Sequence, residues 1–317
     1  MYSNSIVRRV AQWLDTVPHP AVVCEIAPGY VAAARWTHNG TDLDSFAVEA
    51  LPPGALRPTA VETNVLDANE VRSAIGRVFS RLHLKAQDIA LLVPDPVIRV
   101  FVLHFDVFPR STDEAIPLLR WRLKKSVPFE AEETLISYMR QSPREEGVDV
   151  VTGLARLRII REYEQLVESV GMAAGVVMSS TLAALPLLND HQPALLARVA
   201  GKTLTTAIAR EGVLCGFRCM ELSVAESEIP AQVLLDEIYP LTAYYQDSWS
   251  EGIAAVRLAG LGERTREVSP LLERELHCPV SALLPAAEIE GRIAAGLQPL
   301  VEHDLDALVG WSLNRGA

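Results

Sequence analysis

The chain has 317 residues, 49% of them hydrophobic, and its 29 basic and 40 acidic side chains leave a formal charge of −11. That length and apolar content fill two ordinary domains or one bilobed fold, which excludes a disordered protein. The acidic balance excludes non-specific nucleic-acid binding, because a phosphate backbone repels such a molecule as a whole. Along the chain, residues 5–17 read as a short helix with Ile6, Val10, Trp13, Leu14 and Val17 on one side, packed on its own domain. Arg8 and Arg9 interrupt it, so no signal peptide is expected there. A three-strand meander follows, Ala21 to Ile26, Tyr30 to Trp36 and Ser45 to Leu51, with turns at Ala27-Pro28-Gly29 and Asn39-Gly40. Asp67 and Glu70 open a helix whose Val71, Ala74, Ile75, Val78 and Phe79 line one face.

Ile89 to Val93 is a buried strand, and Arg99 to Val107 alternates so that His104 and Asp106 share a face. With no third ligand near, that pair reads as a solvated strand face rather than a metal site. Leu118 to Tyr138 then carries the densest signal. Ile116, Leu119, Leu123 and Val127 make an apolar stripe, Arg120, Arg122, Lys124 and Lys125 lie mostly off it, and Pro128 stops the helix before Phe129. Glu130, Glu132 and Glu133 follow closely enough to neutralise the basic face. Strands Thr134 to Gln141 and Val148 to Leu154, a helix from about Arg158 capped by Gly171, and strand Ala173 to Met178 complete an inserted unit. The uncharged run Ser169 to Asn189 is too interrupted for a membrane span and reads as a strand and a helix.

From Ala194 the opening repeats. Strands Leu195 to Val199, Thr203 to Ala209 and Val213 to Leu222 are joined by glycine turns, with Gly201 and Gly212 spaced as Gly29 and Gly40 are. This internal duplication points to a two-lobed fold. A helix from Pro230 to Tyr245, strand Ile253 to Leu258, a turn at Gly260-Leu261-Gly262, a helix started by Ser269-Pro270, strand Val280 to Leu284 and a closing helix with Leu305, Leu308, Val309 and Leu313 end the chain. Cys24, Cys215, Cys219 and Cys278 suit a reducing compartment, and the four-residue step from Cys215 to Cys219 is not a zinc-knuckle spacing.

Arg120-Trp121 followed by Pro128-Phe129 and an acidic segment, with VVCEIAPGYVAAARW from Val22 and FAVEALPPGAL from Phe46, resembles the type IV pilus assembly protein PilM family, which is related to FtsA. The resemblance implies an α/β, actin-like (ribonuclease H-like, duplicated) two-lobed fold with an inserted partner-binding subdomain. It implies an N-terminal segment to residue 20, a first lobe over 21–110, an insert over 111–178, a reduced second lobe over 179–300, and a C-terminal helix over 301–317 returning to the first lobe. It further implies a cytoplasmic scaffold, peripheral at the inner membrane through its partners: a PilN-like cytoplasmic tail and other pilus inner-membrane assembly proteins. Arg120, Trp121, Lys124, Lys125 and Phe129 are the candidates for holding that tail.

The nucleotide site expected of the family departs from its pattern. In place of Asp-Ile-Gly the first turn reads Glu25-Ile26-Ala27-Pro28-Gly29 and the second Arg198-Val199-Ala200, while Gly260 and Gly262 are kept. A proline without an amide hydrogen and a cation at the magnesium position both weaken a phosphate cradle. Glu25, Gly29, Lys202, Thr203, Gly260 and Gly262 therefore outline a degenerate cleft, in which ATP with magnesium is disfavoured and no cofactor is required. Gly201-Lys202-Thr203 is not a Walker A loop, since Leu196 stands where its first glycine belongs. Where the family has a long segment, only Ser223 to Pro230 stands here, which by that resemblance implies a second lobe whose smaller subdomain is reduced or missing. The expected protein is a non-enzymatic scaffold of a type IV pilus or related type II secretion machine. The alternatives are an ATP-binding switch of the same machine and a GspL-like component, although GspL-like chains continue into a membrane span.

Overall fold

A computed structural model of the chain describes residues 19–37, 42–127, 129, 133–141, 147–188, 191–224, 228–284 and 297–313. The expected helix over 5–17, the Asn39-Gly40 turn, Pro128, Glu130 and Glu132 lie outside those residues.

Strands β1 (Val22–Ala27), β2 (Tyr30–Trp36) and β3 (Leu43–Ala50) form an antiparallel meander, and β4 (Asp88–Val93) and β8 (Ala173–Ser179) join parallel to β1 in the order β3-β2-β1-β4-β8. All six β1 residues are buried, as a central strand covered on both faces requires. The second lobe repeats this order. Strands β9 (Ala194–Ala200), β10 (Thr203–Arg210) and β11 (Val213–Glu221) are the meander, and β12 (Ala255–Ala259) and β13 (Val280–Ala282) join parallel to β9.

Each sheet has an outer helical layer. Helix α1 (Ala68–Arg81), whose Glu70 amide donates to Asp67 at 3.1 Å, and α3 (Leu157–Glu168) cover Cys24 and Ile26 of the first sheet. Helices α5 (Ala231–Trp249) and α6 (Thr265–Leu276) cover Leu195 and Ala197 of the second. Helices α4 (Ser180–Ala184), α7 (Gln298–Glu302) and α8 (Asp306–Leu313) lie between the lobes, where Leu182, Leu308 and Trp311 share one core with Val23 and Leu196. The inner faces of both sheets thus belong to a single apolar cluster.

The third sheet has the order β5-β7-β6, from β5 (Arg99–Phe105), β6 (Thr134–Arg140) and β7 (Val148–Arg156). Helix α2 (Thr112–Leu123) covers one face of it through Ala115 and Leu119 against Val150, Ile136 and Tyr138. The opposite face, with Val100, Val151 and Met139, joins the interlobe core next to Leu214 and Phe217.

The strand pairings differ from the sequence boundaries at both ends of the insert. Strand β5 pairs with β7 rather than with the first lobe, and β8 pairs with β4 inside the first lobe. Side-chain alternation sets which face of a strand is buried but not which strand lies beside it. Helix α2 ends at Leu123, before the expected stop at Pro128, and α6 begins at Thr265 with Pro270 inside it.

Candidate functional site

Strands β1 and β9 hold the same place in the two lobes, and each turns one charged side chain inward. Arg198 on β9 donates from one terminal nitrogen to Glu25 on β1 at 2.9 Å, and from Nε to Asp306, the first residue of α8, at 2.7 Å. A second bond to Asp306, at 3.3 Å, makes that contact bidentate. Tyr30 donates its hydroxyl to the other Glu25 oxygen at 3.0 Å. All three charged side chains are buried, Glu25 completely. The group thus ties the first lobe, the second lobe and the helix between them.

One cation faces two carboxylates, so the cluster carries surplus negative charge. Burial pushes Glu25 above its ordinary value, against the downward pull of Arg198, and Asp306 adds to the rise. Burial works against the charge on Arg198, yet Asp306 and Glu25 together hold it well above its ordinary value. Burial and the neighbouring Glu25 likewise push up the Tyr30 hydroxyl. The guanidinium is therefore a permanent cation between the lobes.

The turns that follow these strands meet. Gly201 has φ +61°, and a Cβ there would lie 3.5 Å from the Pro28 ring. Gly29 has open space around it, Lys202 is exposed and Thr203 half-buried. Gly260 takes φ +76° where a side chain would collide with the Val199 carbonyl oxygen. Gly260 and Gly262 line a cleft of about 40 Å³ with Thr265, Leu283, Asp304 and Asp306. That holds a few waters and falls far short of the ~300–1,000 Å³ of small-molecule pockets. Burial, with Asp306 beside it, raises the Asp304 carboxyl.

The structure thus sets Glu25 against Asp306 through Arg198, places Gly260 and Gly262 with Asp306 at the small cleft, and puts Gly29 and Lys202 in the two turns that meet. It adds residues that the sequence reading did not name. Asp306 had a signal, a lone acid in an otherwise apolar closing helix. Asp95 had none, although it is buried and accepts from Thr181 (2.5 Å) on α4 and Thr205 (2.8 Å) on β10, a second polar tie between lobes.

The five partner candidates separate. Trp121 is 73% exposed on the side of α2 opposite Leu119, with Lys124 and Lys125 exposed beyond it and Arg120 half-buried. Phe129 is half-buried beneath the Arg156 guanidinium, 6.0 Å from its ring centre. Arg156 also donates to the Val61 carbonyl oxygen at 3.0 Å, which puts Phe129 beside the seam between first lobe and insert. Glu133 pairs with Arg156 at 2.8 Å instead of neutralising the α2 cations. His104 meets buried Asp149 at 2.9 Å and Asp106 only at 3.9 Å, and no group of three metal-ligating side chains exists among the described residues.

No protein-family model and no curated protein matches the chain. Among solved structures it is similar to the PilM–PilN type IV pilus biogenesis complex, at 14% identity and TM-score 0.74, over 94% of this chain and 98% of that one. The fold is actin-like. A Bacteroides thetaiotaomicron protein with an actin-like ATPase fold aligns at 10% identity and TM-score 0.52, over 89% of this chain and 95% of that one. The cytoplasmic domain of EpsL, an inner-membrane component of the Vibrio cholerae type II secretion system, aligns at 12% identity and TM-score 0.47, over 75% and 80%. Within the actin-like fold, the Glu25–Arg198–Asp306 cluster stands at the junction of the two turns. No helix among the described residues is long and apolar enough to cross a membrane.

Proposed function

We propose that this actin-like chain is a non-enzymatic scaffold of a type IV pilus or related secretion assembly, held at the cytoplasmic face of the inner membrane by a PilN-like tail. The observation that carries the non-enzymatic half is the buried Arg198. A magnesium nucleotide at this junction needs carboxylate oxygens and backbone amides for its metal and phosphates. Here the oxygens of Glu25 and Asp306 already accept from Arg198 and Tyr30, and Pro28 offers no amide. The residues present do not fit the nucleotide. The closed turns and the small cleft at Gly260 add to the same reading.

The partner half is supported by the likeness to a complex that contains PilN. Three exposed leucines lie on the segments that meet at this seam: Leu66 (59%), Leu135 (44%) and Leu157 (46%). Leu157 opens α3, whose Glu162 accepts from the Asn64 amide at 2.7 Å, two residues before Leu66. An extended tail lying along this seam would cover all three, together with Phe129.

Two measurements test the proposal. A melt with and without millimolar magnesium-ATP is expected to show no shift, whereas a ligand at a hundred times its Kd stabilises by about 2.7 kcal/mol. A clear upward shift would make the protein a nucleotide switch. A peptide of the PilN-like tail is expected to bind, and Leu135→Glu with Leu157→Glu to weaken it by at least about tenfold. Unchanged affinity would remove the seam from consideration.

A further inference from the structure

Helix α2 packs one face on the third sheet through Ala115 and Leu119, with Leu123 buried one turn further on, and the helical repeat turns Trp121 away from that face. The indole is 73% exposed, and it is the only large apolar side chain of α2 in that state. Arg120 and Arg122 lie on either flank at about 100° each way, with Lys124 and Lys125 beyond the last turn. Arg122, Lys124 and Lys125 are exposed and form no ion pair among the described residues. Arg120 is half-buried, with one terminal nitrogen lacking a hydrogen-bond partner among the described residues. Four cations thus surround one exposed indole, on a chain whose formal charge is −11.

The helix dipole favours cations at this end, but it does not account for an exposed indole. A protein hot spot gathers several apolar side chains in a packed centre, and here the indole stands alone. A single amphipathic ring ringed by lysine and arginine matches the headgroup level of a bilayer with anionic lipids. We infer that the outer face of α2 binds the anionic surface of a phospholipid bilayer directly, with Trp121 at the headgroups and Arg120, Arg122, Lys124 and Lys125 on the phosphates. Repulsion of the acidic remainder confines the contact to this tip, because the patch acts within a Debye length of about 8 Å. The contact is separate from the seam and does not depend on the tail.

The test is co-sedimentation of the full chain with vesicles of phosphatidylglycerol and phosphatidylcholine, and of phosphatidylcholine alone. Binding is expected only to the anionic vesicles and is expected to fall at high salt. Each cation near such a surface contributes about fivefold, so Arg122→Glu, Lys124→Glu and Lys125→Glu together should lower the partition constant by at least about a hundredfold. The milder pair Lys124→Gln and Lys125→Gln serves if the triple variant melts early, and should still lose about twentyfold or more. Vesicles should shift the emission of the wild type to the blue, and Trp121→Phe should abolish that shift. Equal binding by the charge variants, or a shift that survives Trp121→Phe, would place the lipid contact elsewhere and overturn the inference. A wild type that ignores vesicles while the same charge reversals weaken the tail peptide would assign the patch to an acidic protein segment, and would also overturn it.

Discussion

Arg198 satisfies two carboxylates at once, and that fixes the sign of its removal. Arg198→Met would leave Glu25 and Asp306 buried without a cation, a loss of about 3–5 kcal/mol expected in urea denaturation. Glu25→Gln should behave differently. The folded chain keeps a proton on Glu25 to a higher pH than the unfolded chain, whose carboxyl titrates near 4.5. The stability this gives is complete below that pH and is lost as pH rises through the folded value. The melting temperature of the wild type relative to Glu25→Gln is therefore expected to fall from pH 4.5 upward, and a flat difference would mean that Glu25 is not raised. Two members of this cluster were legible as departures from a family pattern, because a glutamate and an arginine stood where aspartates were expected. Asp306 was legible only as an oddity of composition, since it lies 108 residues from its partner. Asp95 was not legible at all, because a strand-end Asp-Pro pair reads as an ordinary turn.

At the scale of elements, the crossing of α4 and α8 is set by one small residue. A Cβ on Gly310 would come within 2.7 Å of the Ala183–Ala184 backbone, which has no flexible side chain to yield. Gly310→Ala is expected to destabilise by about 2 kcal/mol or more despite its better helix propensity, as a melt would register. The opposite result would mean that the helices can part. Hydrophobic spacing located the long helices α1, α3 and α5, but a proline misplaced the start of α6. Pro117, Pro240 and Pro270 all lie inside helices. Ser269 donates its hydroxyl to the Thr265 carbonyl oxygen at 2.6 Å, one turn back, so the Ser-Pro pair that reads as a start belongs to a helix already under way.

For the whole molecule, the duplication was the most legible feature, because matching glycine turns at matching intervals require matching meanders. The return of β8 to the first sheet was not, since parallel pairing depends on a crossover of about eighty residues between β4 and β8. One apolar cluster spans both lobes and the insert. A single calorimetric transition is therefore expected, with equal calorimetric and van't Hoff enthalpies, and two separable transitions would show that the lobes fold independently.

The insert is tied to the far lobe by more than packing. The Gln141 side chain donates to the Leu214 carbonyl oxygen at 2.8 Å and accepts from the Leu214 amide at 2.7 Å, so an amide side chain imitates a strand neighbour at the end of β11. The two bonds lie side by side and share load, so force applied to the insert passes directly to the second lobe. Such a chain is braced between the insert and the second lobe rather than free to bend there as at a hinge.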